Sequence, residues 1–259
     1  MKIMQPKQLP AANGWAWIKQ GYALFMKAPL LWIVLLVIIF FAAIVLSNVP
    51  LVGEPLVSLL IPVVLAGLMA GARDLQQGEE LELAHLFKGF QRHTTQLVTL
   101  GGMALVGQFI IFGVMLMVGG GTLVTLLMSS EPITDPDAMT AALAGAGFAA
   151  ILGALLFSVL MMAMQFAPVL VYFNGIAPLE AMKLSLRAFL NNMSAMLVYS
   201  VTVIALAIFA SLPMMLGWLV LMPIVFTSLY ASYCDIFPVV TAPPQTVTND
   251  FSPDDQSQF

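Results

Sequence analysis

The stretch PLLWIVLLVIIFFAAIVLSNV, residues 29–49, decides the fold because it carries no charged side chain over its whole length. A helix that spans a bilayer needs roughly 20 mainly apolar residues. Further apolar stretches of this kind lie at about 55–72, 96–128, 138–173, 193–212 and 214–234. The sequence therefore predicts an all-α polytopic membrane protein with six transmembrane helices.

The composition indicates a membrane protein rather than a large soluble core. Of the 259 residues, 61% are apolar and 8% are charged, and the mean hydropathy is +0.98. Soluble domains are about 45–50% apolar and about 25% charged. An ordinary soluble enzyme, a nucleic-acid binder and a coiled coil are excluded. Cys234 is the only cysteine, so an intrachain disulfide and a C-x-x-C metal or redox site are excluded as well.

Two of the predicted spans, 96–128 and 138–173, are longer than one crossing requires. Roughly 33 residues make about 50 Å of helix, against a hydrocarbon core of about 30 Å. We expect these helices to tilt or to project beyond the membrane, with a break or bend at Gly119–Gly121. Asp135 and Pro136 predict the N-cap and first turn of the second helix.

The positions of the basic residues predict the orientation of the chain. All 9 lysines and arginines lie on one side of the six-span arrangement, namely Lys2, Lys7, Lys19, Lys27, Arg73, Lys88, Arg92, Lys183 and Arg187. The opposite side carries only acidic residues, namely Glu54, Glu131, Asp135 and Asp137. Both termini are therefore predicted to be cytoplasmic.

Three short amphipathic segments precede the first, third and fifth spans. Their apolar residues recur at helical spacing, as Trp15, Ile18, Tyr22 and Phe25, as Leu83, Phe87 and Phe90, and as Leu179, Met182, Leu186 and Phe189. Each segment is too short and too charged to span. The sequence therefore predicts three amphipathic helices that lie at the cytoplasmic interface.

Prolines recur in the second, fourth and sixth spans, and an acidic residue follows each at the same distance: Pro62 and Asp74, Pro168 and Glu180, Pro223 and Asp235. We predict three pseudo-repeats, at about 13–74, 79–177 and 178–237, within a membrane domain over 13–237. An N-terminal tail, 1–12, and a disordered cytoplasmic tail, 238–259, flank this domain. The prolines either bend the helices or open a shared cavity.

Small residues predict where the helices pack, because close helix contact in lipid favours them. One stripe repeats every four residues along the fourth span, at Ala142, Ala146, Ala150, Ala154 and Ser158, and Gly145, Ala149 and Gly153 widen it. The third span offers Gly101, Gly102, Gly107 and Gly113, so we expect these two helices to pack together. Gly67 and Gly71 predict internal packing, with oligomerisation as the alternative; the oligomeric state stays open.

Few residues suggest chemistry within the spans. Gln108 and Gln165 are the large polar residues deep in spans, and they are candidates either for lining a cavity or for helix-to-helix hydrogen bonding. His85 and His93 have the wrong spacing for a metal site on one helix, so we expect exposed histidines. We predict no catalytic residues, no metal, no cofactor and no enzymatic activity.

The basic residues near the interfacial helices are the remaining candidate site. Membrane lipids are the predicted partners of Lys19, Lys27, Arg73, Lys88, Arg92, Lys183 and Arg187, since each base near an anionic leaflet gains about 1 kcal/mol. The aromatic residues Trp15, Trp17, Tyr22 and Trp32 suit the headgroup level. A membrane-protein partner is possible in principle, whereas nucleic acid is excluded.

The most specific motif is the opening G-W-x-W-x-x-x-G-Y-x-L-F-x-x-x-P-x-x-W over residues 14–32. It resembles the start of an uncharacterised family of bacterial inner-membrane proteins. The layout of short helices and hairpins is also similar to the membrane module found with some glycerophosphodiester phosphodiesterases, whose soluble hydrolase domain this chain lacks. The resemblance implies a location in the bacterial cytoplasmic (inner) membrane and assigns no functional residues.

Two functional hypotheses follow from these patterns. The first is a non-enzymatic inner-membrane protein that interacts with lipid or serves envelope maintenance as a scaffold. The alternative is a transporter or channel for a neutral or amphiphilic solute, which requires a polar cavity that reaches the middle of the membrane.

Overall fold

The computed structural model describes residues 5–128 and 136–237, and within these ranges the chain is helical without strands. The helices in chain order are α1 (Asn13–Phe25), α2 (Pro29–Ser47), α3 (Gly53–Gln77), α4 (His85–Lys88), α5 (Thr94–Met128), α6 (Pro136–Gln165), α7 (Ala167–Asn174), α8 (Pro178–Asn191), α9 (Met193–Ser211) and α10 (Trp218–Ile236). Predictions for Lys2, for Glu131 and Asp135, and for the tail 238–259 lie outside the described residues.

Six segments of the described chain are long and apolar enough to cross a membrane: Pro29–Ser47, Gly53–Gln77, Thr94–Gly119, Ala144–Asn174, Met193–Ser211 and Trp218–Ile236. This confirms the predicted all-α architecture with six spanning helices. About half of the residues in the spanning windows of α3 and α10 are buried in the molecule, whereas few are in α2, α5 and α9. Such exposed apolar surface is what a lipid-facing helix presents, because lipid tails are as apolar as leucine.

The three aligned prolines affect their helices differently. Pro62 and Pro223 lie inside the continuous helices α3 and α10, whereas the helix breaks between α6 and α7 just before Pro168. Proline lacks an N–H and its ring clashes with the carbonyl group four residues earlier, so backbone groups are left without partners. α5, in contrast, runs through Gly119–Gly121 without interruption, so the predicted break there is wrong.

Ser185 of α8 satisfies the backbone groups at the break. Its hydroxyl group accepts a hydrogen bond from the Phe166 N–H at 3.0 Å and donates one to the Met162 carbonyl oxygen at 2.8 Å. Ser185 is fully buried. A non-helical backbone inside a membrane protein is tolerated where a neighbouring side chain satisfies its polar groups, and Ser185 has this role here.

The core of the molecule lies where α3, α7 and α10 meet. The Phe173 ring packs against Tyr230 and Tyr233, with centroid distances of 6.3 and 5.9 Å. The Tyr230 hydroxyl donates to Gln76 Oε1 at 2.8 Å, and the Tyr233 hydroxyl donates to Asn174 Oδ1 at 2.7 Å. These contacts join the ends of the three helices that carry the prolines.

The short helices α1, α4 and α8 each pack on a different part of the bundle. α4 packs on α3, α8 packs on α6 and α7, and α1 packs on α9 and α10. Gly21 permits the last contact, because a Cβ atom there would lie 2.6 Å from the backbone nitrogen of Ser228. A Cβ at Gly67 would likewise collide with the His85 carbonyl oxygen, so the Gly67–Gly71 face packs within the chain, as predicted.

The short helices divide the predicted apolar residues between buried and exposed positions. The positions that face the bundle include Trp17, Gly21 and Leu24 in α1 and Ala181, Ser185 and Ala188 in α8. Of the predicted apolar residues, Ile18 and Phe25 are buried, whereas six are exposed, namely Trp15, Tyr22, Leu83, Phe87, Phe90 and Leu179. The second predicted helix is only the single turn α4. The apolar spacing therefore does not distinguish the buried positions of these helices from the exposed ones.

Two spanning helices match in length, and two short helices match in their buried positions. α2 and α9 each have 19 residues. When α1 and α8 are aligned with Lys19 on Lys183, the buried positions 17, 21 and 24 of α1 fall on the buried positions 181, 185 and 188 of α8. The threefold repeat itself stays a prediction.

α5 and α6 pack along each other, as expected from their glycines. Gly107 lies against Leu160, and Gly153 lies against Met115. Gly153, which widens the predicted small-residue stripe, forms this contact, because glycine lets the Met115 side chain reach the helix backbone. Ala150, Ala154 and Ser158 of the stripe itself are exposed.

Candidate functional site

The basic rim is the set of seven predicted headgroup residues: Lys19, Lys27, Arg73, Lys88, Arg92, Lys183 and Arg187. All except the half-buried Lys88 are exposed. Several have partners within the chain. Lys183 pairs with Glu180 at 2.9 Å, Lys27 Nζ donates to the Leu75 carbonyl oxygen at 2.7 Å, and Lys19 lies 5.6 Å from the Trp15 ring centroid.

Three arginines of the basic rim remain available for a ligand. Arg73 lies over the Phe173 ring at 5.2 Å, which leaves its hydrogen-bond donors free of protein partners in the described residues. Arg92 and Arg187 make neither a hydrogen bond nor an ion pair with any residue that the structure describes. An exposed guanidinium group offers planar donors that match phosphate or carboxylate oxygens.

A polar cluster fixes the position of Lys88. His85 Nε2 lies 2.9 Å from Asp74 Oδ2, and Lys88 Nζ donates to the same carboxylate oxygen. His85 Nδ1 lies 2.9 Å from the carbonyl oxygen of Glu82 and 3.0 Å from its backbone nitrogen. His85 is 2% exposed. The expectation of an exposed histidine is therefore wrong for this residue, because the chain turns back after Gly78 and places α4 against α3.

The surroundings of this cluster combine both charges. The hydroxyl group of Tyr172 lies within electrostatic range of Arg73, Lys88 and Arg92. A Cβ at Gly175 would lie 3.3 Å from His93, so the start of α5 and the end of α7 are close neighbours. Three exposed glutamates on the connection before α4 carry the opposite charge, namely Glu79, Glu80 and Glu82.

Two further hydrogen bonds join the N-terminal part of the chain to its C-terminal half. Trp17 Nε1 donates to Asp235 Oδ2 at 2.8 Å, and the Leu9 N–H donates to Asn192 Oδ1 at 2.8 Å. Trp17 and Trp32 are both fully buried. Both side chains are therefore enclosed by protein, whereas Trp15 and Tyr22 are exposed; the depth of all four at the headgroup level stays a prediction.

The two predicted cavity residues have different surroundings. The Gln108 side chain is exposed and lines a groove of about 550 Å³ with Ile111, Phe112, Met115, Gly153, Ala154 and Phe157. Gln165 is half-buried, and its Nε2 atom lies 3.8 Å from Met196 Sδ. Gln165 does not line this groove, and a cavity shared by both amides stays a prediction.

A larger groove, of about 850 Å³, lies between α3 and α5. Both grooves open on the outer surface of the helices. Neither is lined by Asp74, His85 or Lys88. Across residues 5–128 and 136–237, no group of three histidine, cysteine, aspartate or glutamate residues could hold a metal ion.

Comparison with curated proteins finds a relative from Burkholderia thailandensis that is named "Probable inner membrane protein". It is 30% identical over 259 residues, and the match covers 91% of this chain and 95% of the relative. No family model matches the chain. No solved structure matches it either.

Proposed function

The chain belongs to the family of this Burkholderia thailandensis inner membrane protein, and from that premise we propose that it is a non-enzymatic, lipid-binding protein of the bacterial inner membrane. The proposal concerns the basic rim and the exposed faces of α1, α4 and α8. Both termini are on the cytoplasmic side in this proposal, since basic residues are retained there.

The observation that carries the proposal is the large apolar side chains exposed beside bases on helices too short to span. Trp15 is 48% exposed and Tyr22 is 51% exposed on either side of Lys19, and Phe87 is 64% exposed next to Lys88. Such side chains are stable at the headgroup level, where the apolar part contacts acyl chains and the charged part stays hydrated. Anionic headgroups are the natural counter-charge for the basic rim.

The arrangement of Asp74, His85 and Lys88 supports a structural role over a catalytic one. The three side chains bond to one another, and His85 is buried. A transporter or channel would need a polar cavity, whereas the lining side chains of the larger groove are mostly apolar. We therefore favour lipid binding over transport.

Removing charge from the basic rim tests the proposal. The variant Lys19→Gln/Lys183→Gln/Arg187→Gln should bind dioleoyl phosphatidylglycerol more weakly than the unaltered chain, by about fivefold for each base that contacts the lipid. Native mass spectrometry of protein purified in mild detergent counts the lipids that remain bound.

The matched control replaces three exposed acids on the same side of the chain, Glu79→Gln/Glu80→Gln/Glu82→Gln. This control should retain at least as much lipid as the unaltered protein. Equal lipid retention by the basic-rim variant and the unaltered protein would contradict the proposed function.

A further inference from the structure

The groove between α3 and α5 changes in character along its length. Its lining from α5 begins with Thr94, Thr95 and Thr99, continues through Gly102 and Met103, and ends with Val106 and Ile110, while Leu59 contributes from α3. From position 94 to position 110 the helix rises about 24 Å. Hydroxyl groups therefore line one end of the groove, and hydrocarbon lines the rest.

The polar end has free hydrogen-bonding capacity. The hydroxyl of Thr94 donates to the Phe90 carbonyl oxygen at 2.7 Å, and that of Thr99 donates to the Thr95 carbonyl oxygen at 2.8 Å, so both oxygens retain lone pairs. The hydroxyl of Thr95 has no partner among the described residues. Arg92, two positions before the helix, is exposed and also without a partner there.

The floor of the groove is Gly102. A Cβ there would lie 3.5 Å from Leu59 Cδ2, which is ordinary van der Waals contact, so a side chain at this position would fill the groove without displacing the backbone. The close contact between the two helices is made one residue earlier, at Gly101, where a Cβ would collide with the backbone of Leu59. Gly101 thus joins the helices, whereas Gly102 leaves space beside the joint.

We propose that this groove binds one acyl chain of an anionic glycerophospholipid, whose phosphate group is held by Arg92 and the Thr95 hydroxyl. The inference deepens the proposed function by naming a lipid site that lies apart from the exposed faces of α1 and α8. Arg92 does not itself line the groove, but it precedes Thr95 by three positions in the chain. An unpaired cation together with hydroxyl groups recognises phosphate, and the apolar length beyond them matches a fatty-acid chain.

A phospholipid matches this groove because both are polar at one end and apolar along the rest of their length. Half of the hydrocarbon core is about 15 Å thick, so a headgroup at Thr95 places its chain beside Gly102 and Met103, in the apolar part. The polar end lies directly after Arg92, which belongs to the basic rim, and the phosphate group therefore stays at the level where headgroups lie. A second protein helix in the groove would not require the unpaired Arg92 guanidinium group at the polar end.

The test fills the groove and compares it with a filled position elsewhere on the same helix. Gly102→Leu should reduce by one the number of phosphatidylglycerol molecules retained in native mass spectrometry. Gly113→Leu is the matched control, since nothing lies within 4 Å of a Cβ at that position and it does not line the groove. Arg92→Gln should bind phosphatidylglycerol about tenfold more weakly and lose its preference over phosphatidylcholine with the same acyl chains.

Photocrosslinking to the unaltered protein tests the site without any substitution, so the result does not depend on whether a variant folds. Phosphatidylglycerol with a photoactivatable group in the acyl chain should label the α5 segment from position 98 to position 110 in preference to α2 and α9. Even labelling of all exposed helices would overturn the proposal.

The outcomes separate this inference from the function on which it rests. If the unaltered protein retains phosphatidylglycerol and the Gly102→Leu and Gly113→Leu variants retain the same number of molecules, the groove is not the site, although lipid binding stands. If the unaltered protein retains no lipid, both proposals fail. A dimer that dissociates in Gly102→Leu would assign the groove to a second copy of the chain and overturn the lipid assignment.

Discussion

At the scale of single residues, the Ser185 side chain stabilises the break in the fourth span. It bonds to both the Phe166 N–H and the Met162 carbonyl oxygen at the break between α6 and α7. A buried polar group that loses its partner costs about 1–3 kcal/mol, and Ser185 is fully buried. One hydroxyl group therefore makes the break at Pro168 tolerable.

Ser185→Ala should lower the free energy of unfolding by about 1–3 kcal/mol. Unfolding by sodium dodecyl sulfate in mixed micelles measures this difference. Ser158→Ala is the control, because the Ser158 hydroxyl also bonds to a backbone carbonyl, that of Ala154 at 2.7 Å, but on an exposed helix face. Equal stability of the two variants would show that the break does not need the Ser185 hydroxyl group.

The sequence identified Pro168 as a position that disturbs a helix, but it could not identify Ser185 as the compensating residue. The two are far apart along the chain, and a serine among apolar residues is typical of many helix contacts. His85 was misjudged for a related reason: its burial depends on the return of the chain at Gly78, which composition alone does not reveal.

At the scale of elements, the two sides of α1 have different surroundings. Trp15 and Tyr22 are exposed on one side, and Trp17 and Leu24 are buried against the bundle on the other. Gly14 and Gly21 allow close approach on the bundle side, whereas the exposed aromatic residues on the other side are the ones that contact acyl chains and headgroups in the proposed function. Periodicity predicted the existence and length of this helix, but it did not tell its exposed side from its buried side.

Phospholipids brominated on the acyl chain should quench Trp15 and leave Trp17 unaffected. Trp15→Phe should therefore decrease the quenchable part of the tryptophan fluorescence in reconstituted vesicles, and Trp17→Phe should increase its proportion. The conservative change to phenylalanine keeps the apolar ring in both variants. A larger loss of quenching in Trp17→Phe than in Trp15→Phe would contradict the assignment of the two faces.

At the scale of the whole molecule, the spans were predictable because the thickness of the bilayer sets a minimum length for each apolar run. The packing of α1, α4 and α8 on the bundle was not, since it depends on contacts between residues far apart in the chain, such as Trp17 with Asp235. The sequence identified the basic residues of the candidate site, whereas their partners depend on the fold. Gln108 and Gln165 lie in different surroundings, since Gln108 is exposed and Gln165 is half-buried.

Labelling of introduced cysteines checks the orientation of the whole chain. In a Cys234→Ala background, Leu51→Cys in the turn between α2 and α3 should react with a membrane-impermeant maleimide added to spheroplasts. Glu80→Cys should react only after lysis. Both positions are exposed, so reversed labelling would place the basic rim outside the cytoplasm and overturn the predicted topology.

The seat of α1 on α10 has a consequence for biosynthesis. Trp17 must wait for Asp235, 218 residues later, and at about 5–20 residues per second the ribosome takes roughly 10–40 s to produce that distance. During this interval the Trp17 indole N–H cannot bond to Asp235, and α1 lacks its contact with α10. A chain truncated before α10 never gains either contact.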